Sequence, residues 1–129
     1  MEAFTFPADV ARASFARRRI AALAEREGIS GQALFDFLLA VGEALANAVT
    51  HGSPYLEYDE VTVRFGRFER FVVVEVIDRG TGFGSSQVAQ PNELDGSGRG
   101  IPFMRLLVDE LRFECDDGGT CVRLLMAIR

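Results

Sequence analysis

The chain has 129 residues, 48% of them hydrophobic and 26% charged, and its formal net charge is −5. This length supports one hydrophobic core, so we expect a single domain over residues 1–129. The acidic balance argues against direct nucleic-acid binding. No apolar run reaches the roughly 20 residues that cross a bilayer, and the N-terminus lacks the basic start of a signal peptide, so we expect no membrane contact.

Two cysteines, Cys115 and Cys121, are the only thiols in the sequence. They fit the reduced thiols of a cytoplasmic protein, which is where we expect this chain to work. They could also face each other across a late hairpin, although a structural disulfide is the less favoured interpretation. Their spacing is not that of a zinc site.

The first part of the chain predicts a strand and a helix. Residues 2–6 alternate apolar and polar side chains up to Pro7, which predicts a short strand. Residues 9–27 predict a helix that Gly28 ends. Its apolar stripe consists of Val10, Ala13, Ala16, Ile20 and Leu23.

Several arginines lie on or near the other side of this helix: Arg12, Arg17, Arg18, Arg19 and Arg26. They form either a solvated helix face or a docking surface for an acidic partner. The sequence leaves both alternatives open.

A second helix carries the polar residues around which the chain is organised. It is predicted from an N-cap at Ser30 to about Thr50, with His51 and Gly52 at its end. Glu43, Asn47 and His51 recur every four residues, which places them along one stripe of the helix. A buried acid or amide needs a partner, which could be a metal, a polar ligand or a neighbouring backbone.

The second part of the chain predicts four strands and one helix. Alternation around Val63 and an apolar run over 71–78 predict two strands, joined by a hairpin loop over 66–70. A helix is predicted from Ile101, followed by strands over 111–115 and 120–128 with a turn over 116–119. Its apolar stripe is Met104, Leu107, Val108 and Leu111. The sum is an α+β two-layer sandwich: a mixed, mainly antiparallel sheet of about five strands with about three helices on one face.

Two glycine motifs flank a long loop between the predicted strand over 71–78 and the last helix. Asp78 ends a strand, where its carboxylate could accept a hydrogen bond from an adenine amine, and Gly80 and Gly82 allow a flat ligand to approach the backbone. The motif from Gly96 to Gly100 precedes a helix, where exposed N–H groups favour phosphates. Either motif alone is weakly specific.

Taken in order, these motifs are much more specific. Glu-x-x-x-Asn on a helix, Asp-x-Gly-x-Gly at a strand end and Gly-x-Gly at a helix start resemble the N, G1 and G2 boxes of the GHKL ATPase superfamily. Glu-Ala-Leu-Ala-Asn-Ala-Val-Thr-His-Gly, Asp-Arg-Gly-Thr-Gly and Gly-Arg-Gly-Ile-Pro-Phe-Met-Arg resemble the bacterial anti-sigma factor serine/threonine-protein kinases. The closing Gly118-Gly-Thr120 is similar to the same family, and the resemblance covers nearly the whole chain.

The resemblance implies a role for each matching residue. Glu43 would be the general base toward a protein hydroxyl, and Asn47 would bind Mg²⁺. Asp78 would bind the adenine of ATP. The residues implied around it and around the phosphates are Gly80, Gly82, Gly98, Arg99, Gly100 and Thr120. Arg17 falls where the first helix of this family meets its sigma factor.

The implied function is an ATP-dependent switch that sequesters a sigma factor and phosphorylates an anti-sigma factor antagonist, working as a homodimer. Two alternatives remain at this point. One is a non-catalytic binding module with the same fold. The other is the catalytic domain of a histidine kinase, which the sequence disfavours because it has no helix pair with a phospho-accepting histidine.

Overall fold

The computed structural model describes residues 1–50, 60–78, 100–116 and 119–128. Within these ranges the chain forms five strands and three helices. In chain order they are β1 (Glu2–Pro7), α1 (Val10–Arg26), α2 (Gly31–Thr50), β2 (Glu60–Phe68), β3 (Phe71–Asp78), α3 (Gly100–Leu107), β4 (Glu110–Asp116) and β5 (Gly119–Ala127).

The strands form one five-stranded sheet in the order β1-β2-β3-β5-β4. This confirms the predicted α+β sandwich, but the expected mixed pairing is wrong for the described residues, since every pairing there is antiparallel. The reason is connectivity. The excursion through α3 returns at the edge strand β4, and β5 then folds back between β4 and β3.

Helix α1 starts at a side-chain cap and ends at the predicted Gly28. The Asp9 side chain accepts a hydrogen bond from the backbone N–H of Arg12 at 3.0 Å, which caps the start. Gly28 follows the last turn with φ +105°, a conformation that glycine adopts without strain. Val10 was wrongly assigned to the packed stripe: it is 74% exposed, because it lies at the mouth of a groove between the helices.

Helix α2 is apolar enough to have been a membrane candidate. It has 20 residues and a mean hydropathy of 1.5, so by length and composition it could cross a bilayer. This differs from the expectation that no apolar run in the chain is long enough to do so. Seven of its apolar residues are instead buried in the core, where α2 packs on β3, β5 and α1. The buried ones are Phe37, Ala40, Val41, Ala44, Leu45, Ala48 and Val49.

Two other boundaries differ from the sequence-based prediction. β2 continues through Gly66 to Phe68, which pairs with Phe71, so the turn between the strands is much tighter than the predicted loop. Leu111 was assigned both to the helix stripe and to the start of a strand. It belongs to β4, as the strand prediction had it, because it pairs with Leu124 and is buried by strand alternation.

The sheet face away from the helices carries a buried carboxylate. Glu75 is 6% exposed, and its Oε2 accepts hydrogen bonds from Arg123, with Nε at 2.8 Å and Nη2 at 2.6 Å. Burial raises the pKa of the neighbouring Cys121 thiol to about 11, and the negative charge of Glu75 is the second cause of this rise. Cys121 pairs with Glu114 and Cys115 with Thr120, so the two cysteines are not cross-strand partners.

Candidate functional site

The end of β3 holds two buried polar residues side by side. Asp78 is the last residue of the strand and pairs directly with Thr120 on β5. Each is 4% exposed, and Asp78 shares its sheet face with the buried Val76, as alternation predicted. The Thr120 Oγ1 is buried and has no hydrogen-bond partner among the described residues. A polar ligand at this strand end would satisfy that hydroxyl, whose burial otherwise costs free energy.

Glu43 and Asn47 lie one helical turn apart on α2, and both are partly buried. Successive residues turn by about 100° around a helix. Gly42 and Ala46 line the groove toward α1, and Ala44 is in the core, so Glu43 and Asn47 fall on the opposite flank. Because α1 packs on β1 and β2 while α3 packs on α2 and β4, that flank is on the α3 side.

The predicted phosphate-binding residues are described only in part. Gly100 is the first residue of α3, as expected for a loop that feeds a helix N-terminus. Gly80, Gly82, Gly98 and Arg99 lie outside the described residues. So does His51.

The described site residues therefore fall into two groups in adjacent layers. One group is the Asp78–Thr120 pair in the sheet, and the other is Glu43 with Asn47 on the helix that packs over β3 and β5. This arrangement combines a buried acceptor and hydroxyl at one end with a carboxylate and an amide oxygen at the other. The first pair suits an amine-bearing ring, and the two oxygen-bearing side chains on α2 suit a divalent cation that could hold the anionic tail of the same ligand.

Arg17 has an internal role that the sequence did not reveal. Its Nε donates to the carbonyl oxygen of Leu38 at 3.1 Å and so ties α1 to α2. A Cβ at Gly42 would lie 3.1 Å from the same Nε, so glycine makes room for this contact. Gly42 could have indicated this contact in the sequence. Glycine inside a helix costs about 1 kcal/mol relative to alanine, so its presence suggests that another group packs closely there. The partner contact predicted for Arg17 stays a prediction.

Comparison with known proteins places this chain in a family. The chain matches the family described as "Histidine kinase-like ATPase domain" over residues 6–126. It is 32% identical over 124 residues to the serine-protein kinase RsbW of Bacillus subtilis (strain 168), covering 88% of this chain and 78% of that protein. To RsbW of Listeria innocua it is 30% identical over 126 residues, covering 90% and 80%.

Solved structures share the fold at lower identity. The RsbU and RsbW domains of a Mycobacterium tuberculosis protein match with a TM-score of 0.68 and 21% identity over 99% of this chain, which spans 33% of that one. A blue-light activated histidine kinase of Erythrobacter litoralis matches with a TM-score of 0.66 and 21% identity, covering 95% of this chain and 42% of that one. The chain belongs to the histidine kinase-like ATPase family and, within it, to the anti-sigma factor serine/threonine-protein kinases.

Proposed function

We propose that this chain binds ATP with Mg²⁺ and transfers the γ-phosphoryl group to a serine or threonine of an anti-sigma factor antagonist. In a second state it sequesters a sigma factor, and competition between the two partners is the regulation. We place this activity in the bacterial cytoplasm, with the protein as a homodimer that contacts neither nucleic acid nor membrane directly.

The adenine end of ATP would lie against Asp78 and Thr120. The Asp78 carboxylate accepts a hydrogen bond from the exocyclic amine, and the Thr120 hydroxyl hydrogen-bonds to the ring, directly or through water. Both residues are 4% exposed, so a charge-assisted bond formed there is little screened by solvent. Gly80 and Gly82 would line the same pocket.

The phosphate end would lie along the Glu43–Asn47 flank of α2. The amide oxygen of Asn47 is a ligand of the hard type that Mg²⁺ takes, and one protein oxygen suffices when phosphates and water complete the shell. When bound, Mg²⁺ neutralises charge on the phosphates. Glu43, one turn away, accepts the proton of the attacking hydroxyl and orients its oxygen in line with the γ-phosphorus. Gly98, Arg99 and Gly100 would hold the phosphates at the start of α3.

One observation carries the proposal: the buried Thr120 hydroxyl without a described partner lies beside Asp78 at a strand end of a chain in this family. Calorimetric titration with ATP and Mg²⁺ tests the binding half. Asp78→Asn should weaken affinity by at least tenfold, because the adenine amine loses a charged acceptor worth roughly 1.5–3 kcal/mol. Equal affinity of wild type and Asp78→Asn would contradict the adenine assignment.

Phosphoryl transfer is tested with labelled ATP and the antagonist protein encoded in the same genome. Glu43→Ala should bind ATP normally but fail to label the antagonist, whereas Asn47→Ala should lose the Mg²⁺ dependence of ATP binding. Normal transfer by Glu43→Ala would remove the base assignment. Label that survives acid distinguishes phosphoserine or phosphothreonine from phosphohistidine.

A further inference from the structure

Helix α3 exposes two large apolar side chains to solvent. Leu106 is 83% exposed and Phe103 is 45% exposed, whereas Met104, which lies between them in sequence, is buried in the core. Residues three apart are neighbours on a helix surface, so Phe103 and Leu106 form one apolar patch, called the α3 patch below. Burial of this patch against a partner would recover the free energy that its contact with water costs.

The position of the α3 patch distinguishes it from the other exposed apolar side chains. Leu106 is the most exposed large hydrophobic residue in the described part of the chain. Among these residues only the α3 patch follows directly on a residue assigned to the phosphates, because α3 begins at Gly100. The others lie on α1, on the first turns of α2, or in β1 and β2; they are Met1, Val10, Phe15, Phe35 and Phe68.

A protein that accepts the γ-phosphoryl group has to cover this part of the surface. A helix rises about 1.5 Å per residue, so Leu106 is roughly 9 Å along α3 from Gly100. A specific interface buries roughly 800 Å² on each partner, which corresponds to a disc of about 16 Å radius. An interface centred on phosphates at the start of α3 therefore extends over the whole helix.

The proposed transfer residues approach the same phosphates from the neighbouring helix. Glu43 and Asn47 lie on the flank of α2 that faces α3, and the two helices pack on each other. The groove-lining flank of α2 is next to α1 instead. A hydroxyl directed at Glu43 therefore enters on the α3 side, where the α3 patch borders its path.

Arg105 adds a positive charge beside the α3 patch. It is exposed and has no carboxylate partner within the described ranges, unlike Arg112, whose Nε lies 2.7 Å from the Glu110 Oε2. An unpaired cation next to an apolar patch complements a partner surface that has apolar side chains at its centre and a carboxylate at its rim.

We propose that the α3 patch docks the phosphate-accepting antagonist beside its acceptor hydroxyl. Apolar side chains of the antagonist pack on Phe103 and Leu106, and a carboxylate at the rim faces Arg105. The identity of the partner and of the reaction rests on the proposed function. The new element is a surface that binds the protein substrate without taking part in the chemistry.

Steady-state labelling of the purified antagonist with Mg-ATP tests this surface. Phe103→Ala combined with Leu106→Ala should raise the KM for the antagonist at least about tenfold, as at central interface positions, with kcat within about twofold of wild type. Phe35→Ala is the matched control. Phe35 is also an exposed helical phenylalanine, but it lies two turns before Gly42 and so faces the α1 side of α2. Its KM should stay within about twofold of wild type.

A second pair of variants tests the charge of the partner. Arg105→Gln should raise the KM for the antagonist about two- to fivefold at low salt, and this difference should shrink at high salt because exposed charges are screened. Arg105→Lys keeps the charge and should stay within about twofold of wild type. A KM of Arg105→Gln equal to that of wild type at low salt would overturn the carboxylate at the rim.

The outcomes separate this inference from the proposed function. Failure of wild type to label the antagonist contradicts the proposed function. Labelling by wild type together with an unchanged KM of the folded double variant overturns the docking surface and leaves the kinase assignment in place. Weaker Mg-ATP binding by the double variant in calorimetry also overturns it, because the patch would then belong to the nucleotide site. A changed oligomeric state in light scattering overturns it too, because the patch would then join copies of this chain.

A photo-crosslinking phenylalanine analogue at position 103 locates the docked segment by mass spectrometry. A crosslink to the surface that surrounds the phosphorylated serine or threonine supports the inference. A crosslink confined to a remote face of the antagonist overturns it.

Discussion

Replacing Thr120 by valine should stabilise the nucleotide-free protein and weaken its binding of ATP. The Thr120 hydroxyl is buried and has no hydrogen-bond partner among the described residues. Mutational data put the cost of such a group at roughly 1–3 kcal/mol, and valine fits a β-strand equally well. We therefore expect the free energy of unfolding to rise by about 1–2 kcal/mol, or roughly 4 °C in Tm per kcal/mol at this chain length.

The same change removes a hydrogen bond from the bound state. A neutral hydrogen bond contributes roughly 0.5–1.5 kcal/mol, so the Kd for ATP should rise about two- to tenfold. Denaturant unfolding without nucleotide gives the first quantity, and calorimetric titration with Mg-ATP gives the second. The two effects have opposite signs, which a purely structural role of Thr120 would not produce.

Thr120→Ser is the matched control because it keeps the hydroxyl and removes only a methyl group. It should lose about 1 kcal/mol of stability and keep most of the affinity for ATP. If Thr120→Val destabilises the nucleotide-free protein, the hydroxyl is already satisfied there. If its Kd equals that of wild type, Thr120 does not face the nucleotide.

Three other predictions concern the scaffold. Gly42→Ala should leave the free energy of unfolding nearly unchanged in wild type, because the new Cβ would lie 3.1 Å from the Arg17 Nε and offset the helix preference of alanine. In an Arg17→Ala background the same change should raise the free energy of unfolding by about 1 kcal/mol. Additive effects in a double-mutant cycle would contradict this contact. Glu75→Gln should lower the free energy of unfolding by about 1.5–3 kcal/mol, since Arg123 loses a buried charged acceptor. Glu114 is exposed, so Glu114→Gln should change the free energy of unfolding by less than about 0.5 kcal/mol. Similar losses for Glu75→Gln and Glu114→Gln would argue against the ion pair. Because the pKa of Cys121 is raised to about 11, the rate of its alkylation, followed by peptide mass spectrometry, should keep rising with pH toward 11. The free energy of unfolding should fall above pH 9, since the thiol ionises in the unfolded chain before it ionises in the folded one. An alkylation rate that reaches a plateau near pH 9 would refute the raised pKa.

Local patterns predicted most of the elements and the order of the site motifs. The apolar run over 71–78 matched β3, and Asp9 and Gly28 mark the ends of α1 through interactions within a few residues. Leu111 was assigned both to the helix stripe and to the start of the next strand, because its apolar character fits either element equally well. Only its pairing with Leu124, a residue of another strand, decided between them.

The sequence alone determined the fold class, the family and the candidate residues, because these depend on periodicity and on motifs that are contiguous in the chain. It could not determine that Asp78 and Thr120 form one pair, or that Arg17 reaches Leu38 across two helices. Those contacts join residues far apart in sequence, and packing sets their geometry. For the same reason only the tertiary structure decided that Arg17 and small side chains line a groove between α1 and α2.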